Sequence, residues 1–122
     1  MKTFELQDEE NIIFTAKGTN WEKTLLFMCE QNSGEVIITN QRFVFNVKIL
    51  MKSYILIEEN IENVVDISKC NVGSLIPWNP TGIKIVTSKG KIYKISSLRR
   101  EKIINELNNI KTDKSLYWNL FQ

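Results

Sequence analysis

The sequence has no histidine, two cysteines, two prolines and no long hydrophobic run. Without histidine, and with Cys29 and Cys70 outside any CxxC spacing, zinc sites of the Cys/His type and Cys–His catalytic pairs are excluded. The two cysteines are expected as reduced, largely buried thiols. The longest apolar run, Leu25-Leu26-Phe27-Met28-Cys29, falls far short of the roughly 18 residues of a spanning helix. Residues 1–10 carry Glu5, Asp8, Glu9 and Glu10 and lack the apolar core of a signal peptide. The expectation is a cytoplasmic chain, at most peripheral at a membrane. GxSxG, GxxxxGK[ST] and carboxylates at metal-ligand spacing are missing as well, so no catalytic residue, metal ligand or cofactor is assigned. The adjacent acids Glu58-Glu59 and Asp8-Glu9-Glu10 read as solvated turns.

What is present is a balanced composition. With 122 residues, 43% hydrophobic and 25% charged, the chain reads as one domain over residues 1–122. The net charge is +2, but it is unevenly spread: the first half is acidic and the second basic. The basic cluster of Lys84, Lys89, Lys91, Lys94, Arg99, Arg100 and Lys102 lacks the interleaved aromatics of a stacking platform, so nucleic acid is not an expected partner.

Short β-rich runs dominate. Residues 11–16 form a first strand ending at a turn cluster, Lys17-Gly18-Thr19-Asn20, and residues 21–31 read as an extended arm with a helical alternative. After a break at Asn32-Ser33-Gly34, residues 35–39 and 42–47 make a hairpin across Asn40-Gln41, with Phe43, Phe45 and Val47 on the core face and Arg42 and Asn46 on the other. Residues 53–58 and 64–68 continue the meander across a short turn. Residues 82–87 and 91–95 flank Ser88-Lys89-Gly90, where glycine can supply a positive φ, and place Ile83 and Ile85 opposite Tyr93 and Ile95. From Ser97, a capping residue, Ile103, Ile104, Leu107 and Ile110 recur at helical spacing over residues 97–111. Seven antiparallel strands and one greasy helix predict a mainly β fold: a strongly bent sheet or barrel closed by the C-terminal helix.

Three stretches resemble the GRAM domains of the pleckstrin-homology-like superfamily, in their small bacterial form. They are Gly34-Glu35-Val36-Ile37-Ile38-Thr39-Asn40-Gln41-Arg42-Phe43-Val44-Phe45, then Ile57-Glu58-Glu59-Asn60-Ile61-Glu62-Asn63-Val64, then the hairpin from Gly82 to Ile95 with the helix behind it. The resemblance spans residues 10–111, and residues 112–122 form an apolar extension. It implies a non-catalytic binding module, working through a protein partner or self-association, or alternatively through anionic membrane lipids. Where phosphoinositide-binding members carry a dense basic signature around the first hairpin, this chain has only Lys17 and Lys23.

The resemblance also implies that the loops after strands one, three and six share one open end. They carry Lys17, Trp21 and Lys23, then Lys48-Ile49-Leu50-Met51-Lys52, then Lys89 and Lys91, and form the candidate membrane or ligand site. For the apolar triplet the alternative is a third strand that runs on and buries part of it. Arg42, just after the hairpin turn, is expected to make a structural hydrogen bond to a neighbouring loop. Trp78, stiffened by Pro77 and Pro80, is either a partner anchor or a cover over a sheet edge. The tail, Ser115 to Phe121, is expected to form a short helix after a polar break at residues 111–114. Tyr117, Trp118 and Phe121 would then pack on the domain or on a second copy.

Overall fold

Alternation of apolar and polar residues writes seven strands into this chain, and a change of period writes one helix. The computed structural model describes residues 2–23, 29–73 and 77–120, with side chains except at 23, 29 and 114–120. The strands are β1 (Ile12–Lys23), β2 (Cys29–Thr39), β3 (Arg42–Ile49), β4 (Lys52–Asn60), β5 (Val64–Val72), β6 (Asn79–Thr87) and β7 (Ile92–Ser96), followed by α1 (Arg100–Leu120). A 3₁₀ turn, Ile61–Asn63, links β4 to β5. All pairs are antiparallel, and the sheet order is β4-β3-β2-β1-β7-β6-β5. The sheet therefore bends but does not close, since its edge strands β4 and β5 do not pair.

The inner face gathers Val36, Ile38, Phe43, Phe45, Ile57, Ile61, Ile83, Ile85 and Ile95, and α1 lays Ile103, Leu107 and Ile110 against it. Ile83 opposes Ile95 and Ile85 opposes Tyr93, as expected. The β2–β3 and β6–β7 turns carry their own chemistry. Thr39 Oγ1 accepts from the backbone N–H of Arg42 at 2.9 Å and of Gln41 at 3.1 Å. Gly90 takes φ 84°, where a side chain is disfavoured.

The two predicted breaks around the first hairpin are not breaks. β1 runs straight through Lys17-Gly18-Thr19-Asn20, and β2 runs through Asn32-Ser33-Gly34, with Gly18 and Gly34 in register opposite each other. These glycines serve close approach rather than turning. A Cβ on Gly34 would stand 2.3 Å from the Asn46 carbonyl oxygen, and one on Gly18 2.8 Å from that of Ser96. The strongly coiled strands thus cross where side chains would not fit. Residues 21–23 and 29–31 are extended, as the arm requires, and 24–28 lie outside the described residues.

The helix also differs from expectation. Ser97 lies upstream of it, its Oγ accepting from the Arg99 N–H at 3.1 Å and donating to the Lys17 carbonyl at 2.7 Å. The polar stretch at 111–114 does not interrupt the backbone, which stays helical to Leu120. The expected packing of Tyr117, Trp118 and Phe121 lies outside the described residues and side chains. Cys70 is a free, half-buried thiol, pushed up in pKa by burial.

Arg42 makes the structural bonds expected of it, to the N-terminal segment, whereas Glu10 was expected in a solvated turn; both are buried, at 2% and 4% exposure. Glu10 receives Arg42 Nε at 2.7 Å and Nη2 at 2.9 Å, a two-point pairing of fork and carboxylate. Nη1 donates to Glu58, Nη2 also donates to the Glu5 carbonyl at 2.6 Å, and Phe4 stacks 4.8 Å from the guanidinium carbon. Thr39 Oγ1 adds a bond to Glu10 at 2.6 Å and the Gln7 N–H another at 2.9 Å. Glu58 is no solvated turn either, since it sits in β4 and takes Lys2 Nζ at 2.9 Å besides Arg42. Residues 2–10 are thus pinned across the β2–β3–β4 end of the sheet.

The Arg42 bond chiefly, with Thr39 and Gln7, holds the Glu10 carboxyl at about 2, against an ordinary 4.5. A carboxyl lowered by folding stabilises the fold above its unfolded value, so this contribution is complete above pH 4.5 and is lost as pH falls towards 2. Denaturant titrations at several pH values should show that loss, and Glu10→Gln should flatten the acid limb. Arg42→Met, which strands two carboxylates, should cost roughly 3–5 kcal/mol at neutral pH. Gly34→Ala should destabilise by more than about 2 kcal/mol, because the obstructing atom is backbone.

Candidate functional site

Each proposed site residue can now be placed. Lys17 and Trp21 stand in β1, not in a loop. Lys17 is exposed and borders a shallow hollow with Ser33, Ser97 and Arg99. The half-buried Trp21 donates its indole N–H to Ser96 Oγ at 2.8 Å. The Lys23 side chain lies outside the described set.

Residues 48–52 form the tip of the β3–β4 hairpin, with Ile49 pairing Lys52 across the turn. The strand does not bury the triplet: Leu50 is 91% and Met51 96% exposed, and Ile49 is exposed as well. Leu50 has φ 56°, in the left-handed region that favours glycine. Lys48 and Lys52 are exposed on either side.

The three-loop end does not assemble as one patch. The Ser88–Gly90 turn, carrying Lys89 and leading to Lys91, sits by the 3₁₀ turn, where the Ser88 N–H donates to the Asn63 carbonyl at 2.8 Å. That places it at the opposite end of β4 from the Leu50–Met51 tip. Trp78 does not fold over a sheet edge, being 74% exposed ahead of β6.

Sequence reading missed a second feature, a cleft of about 600 Å³ where β1, β4 and β7 face one another across the open side of the sheet. Ile57 and Tyr93 supply its apolar wall, and Asn20 lies at its β1 side. The Tyr93 hydroxyl spans to β4, donating to Glu59 Oε1 at 2.7 Å, so Glu59 too was misread as a solvated turn. Burial, then the bond to Glu59, pushes Tyr93 far above the ordinary phenol value, which keeps it a donor. Lys91 Nζ lies 5.7 Å from the Tyr93 ring centre. The usable signal was the two-residue series Phe14, Ala16, Gly18, Asn20, which a turn at residues 17–20 had cut short.

Among the described residues, no cluster of three His, Cys, Asp or Glu side chains could hold a metal ion, and no helix is long and apolar enough to cross a membrane.

No family model matches the chain, and no curated protein matches it either. Solved structures do. One is the C-terminal domain of an unknown protein from Leishmania infantum, at TM-score 0.61 and 13% identity, covering 84% of this chain and 85% of that one. Another is a truncated linker-DH/PH structure of p115-RhoGEF, at TM-score 0.59 and 8% identity, covering 87% of this chain but only 29% of that one. At such identities the likeness speaks to the fold alone, and with seven antiparallel strands and a C-terminal helix that fold is pleckstrin-homology-like.

Proposed function

We propose that this chain is a non-catalytic binding module of GRAM type, and that its β3–β4 hairpin tip is the docking element, meeting an anionic membrane surface. One observation carries the reading: Leu50, 91% exposed, is held at φ 56° between exposed Lys48 and Lys52. A leucine in that conformation costs roughly 1–2 kcal/mol that glycine would avoid, and its side chain makes no packing contribution in return. Leu50 and Met51 would enter the acyl boundary while the lysines stay among anionic headgroups, each adding about 1 kcal/mol. The fold, which in PH-like proteins presents loops from a rigid sheet, suits such a role.

A second reading, contact with a protein partner or a second copy, is favoured by Trp78. A 74% exposed tryptophan beside two prolines is a rigid anchor of the kind that dominates protein interfaces.

Co-sedimentation with phosphatidylcholine vesicles, with and without phosphatidylserine, tests the first reading. Binding should require the anionic lipid and weaken with salt, and Lys48→Glu with Lys52→Glu should reduce it by about thirtyfold or more. Leu50→Gly separates docking from folding: it should raise the melting temperature by a few degrees yet weaken vesicle binding. Absence of any lipid-dependent difference removes the membrane reading, and a partner captured only with Trp78 intact would favour the second.

A further inference from the structure

Trp78 has a neighbour of the same kind. Leu98, in the link between β7 and α1, is 93% exposed. That link is tied to the strand Trp78 precedes, since the Ser97 N–H donates to the Thr81 carbonyl at 3.1 Å. Asn79 orders the chain between, its Oδ1 accepting from the Thr81 N–H at 3.2 Å and from the Thr81 hydroxyl at 2.7 Å. Two large apolar side chains in water, one on each segment of a well-ordered junction, mark a surface that meets something else.

Between this junction and the β1–β2 pair lies the hollow that Lys17 borders, about 680 Å³ in volume. Leu98 and Asn79 line it, and so do Thr19 and Ser33, which stand in register across β1 and β2. Its charge is of one sign: Lys17 and Arg99 line it and no carboxylate does. Both cations are exposed, and neither makes an ion pair among the described residues. Glu35 is in register with Lys17 but lies outside the hollow, and Glu101, two residues beyond Arg99, is committed to Lys69. Arg99 rests instead on Phe14, whose ring centre lies 5.4 Å from the guanidinium carbon.

Shape and charge together select the occupant. Cations this exposed hold a single small anion weakly, so the affinity has to come from apolar burial as well. A bilayer, being flat, would meet the rim and leave the hollow unfilled. A peptide supplies an apolar side chain, several carboxylates, and main-chain groups for the Thr19 and Ser33 hydroxyls. We propose that the hollow is a docking site for an acidic peptide segment of a partner protein. A large apolar residue of that segment packs on Leu98 and Trp78, and its carboxylates meet Lys17 and Arg99. The proposal rests on the reading of Trp78 as a protein anchor and gives that partner its chemistry; it stands whether or not the β3–β4 tip meets a membrane.

The test is a ¹H–¹⁵N NMR titration of the whole chain with three blocked pentapeptides. These are acetyl-EDFDE-amide, its neutral counterpart acetyl-QNFNQ-amide, and acetyl-EDGDE-amide, which lacks the apolar residue. The first should give a saturable shift of the Trp78 indole N–H and of the backbone amides of Thr19 and Leu98. The other two should each bind about tenfold more weakly. Lys17→Glu and Trp78→Ala should each weaken binding of the first about tenfold while leaving the melting temperature within about two degrees of the parent, because both side chains are exposed. Raising the salt concentration should weaken the acidic peptide and not the neutral one. The proposal is overturned if acetyl-EDFDE-amide gives no saturable shift at these positions, if its affinity survives both substitutions, or if phosphatidylserine vesicles shift the same resonances and the peptide does not. Equal binding of the neutral peptide, lost in Trp78→Ala, overturns the acidic chemistry but leaves Trp78 as a protein anchor. Equal binding of all three peptides, unchanged in Trp78→Ala, removes both.

Discussion

The guanidinium of Arg42 is the interaction on which the arrangement of this chain most depends. A cation 2% exposed has to meet its acceptors inside the protein, and they come from both sides: Glu10 and the Glu5 carbonyl from the N-terminal segment, Glu58 from β4. Satisfying one side chain therefore ties residues 2–10 to the end of the sheet. The consequence reaches the sheet edge, where the Ile55 N–H, which has no neighbouring strand to pair with, donates to the Lys2 carbonyl at 2.7 Å. Lysine could not replace this arginine, because its ammonium cannot engage Glu10 through two parallel bonds while also reaching Glu5 and Glu58.

A second constraint is the curvature of the sheet. β1 pairs β2 along its length and β7 only through Thr19–Trp21, so a single strand serves both halves. Gly18 and Gly34 make room for carbonyls of β7 and β3 at the crossing. Bending brings β4 and β7 face to face without pairing them, and the Tyr93–Glu59 hydrogen bond spans the gap. The cleft is what remains of a barrel that stops short of closing, walled by short runs of β1, β4 and the start of β7. The helix covers the core elsewhere, through Ile103, Leu107 and Ile110.

The hairpin tip and the cleft differ in physical character. The β3–β4 tip is convex, apolar and cationic, built from residues adjacent in sequence. The cleft is concave and nearly neutral in charge, assembled from three strands distant in sequence.

The sequence alone determined what local geometry controls. The inward alternation of Phe43, Phe45 and Val47, the Thr39 and Gly90 turns, the facing of Ile83 and Ile85 with Ile95 and Tyr93, and the apolar stripe of the helix all depend on neighbours a few residues away. The lysine-flanked tip was legible for the same reason, since its chemistry is contiguous. Tertiary structure decided the rest. Gly18 and Gly34 look in sequence like turn glycines, because the same missing side chain permits either a positive φ or a close approach, and only the position of a distant carbonyl distinguishes them. Arg42 faces away from Phe43 and Phe45 by alternation, and Glu10 sits in an acidic run; each is buried with a partner 32 residues away in sequence that neither neighbourhood names. Asn20, Glu59 and Tyr93 share a cleft only because the sheet curls. Local periodicity gives each residue a face, but where that face meets another strand, an N-terminal segment or water is set by packing between elements that periodicity does not describe.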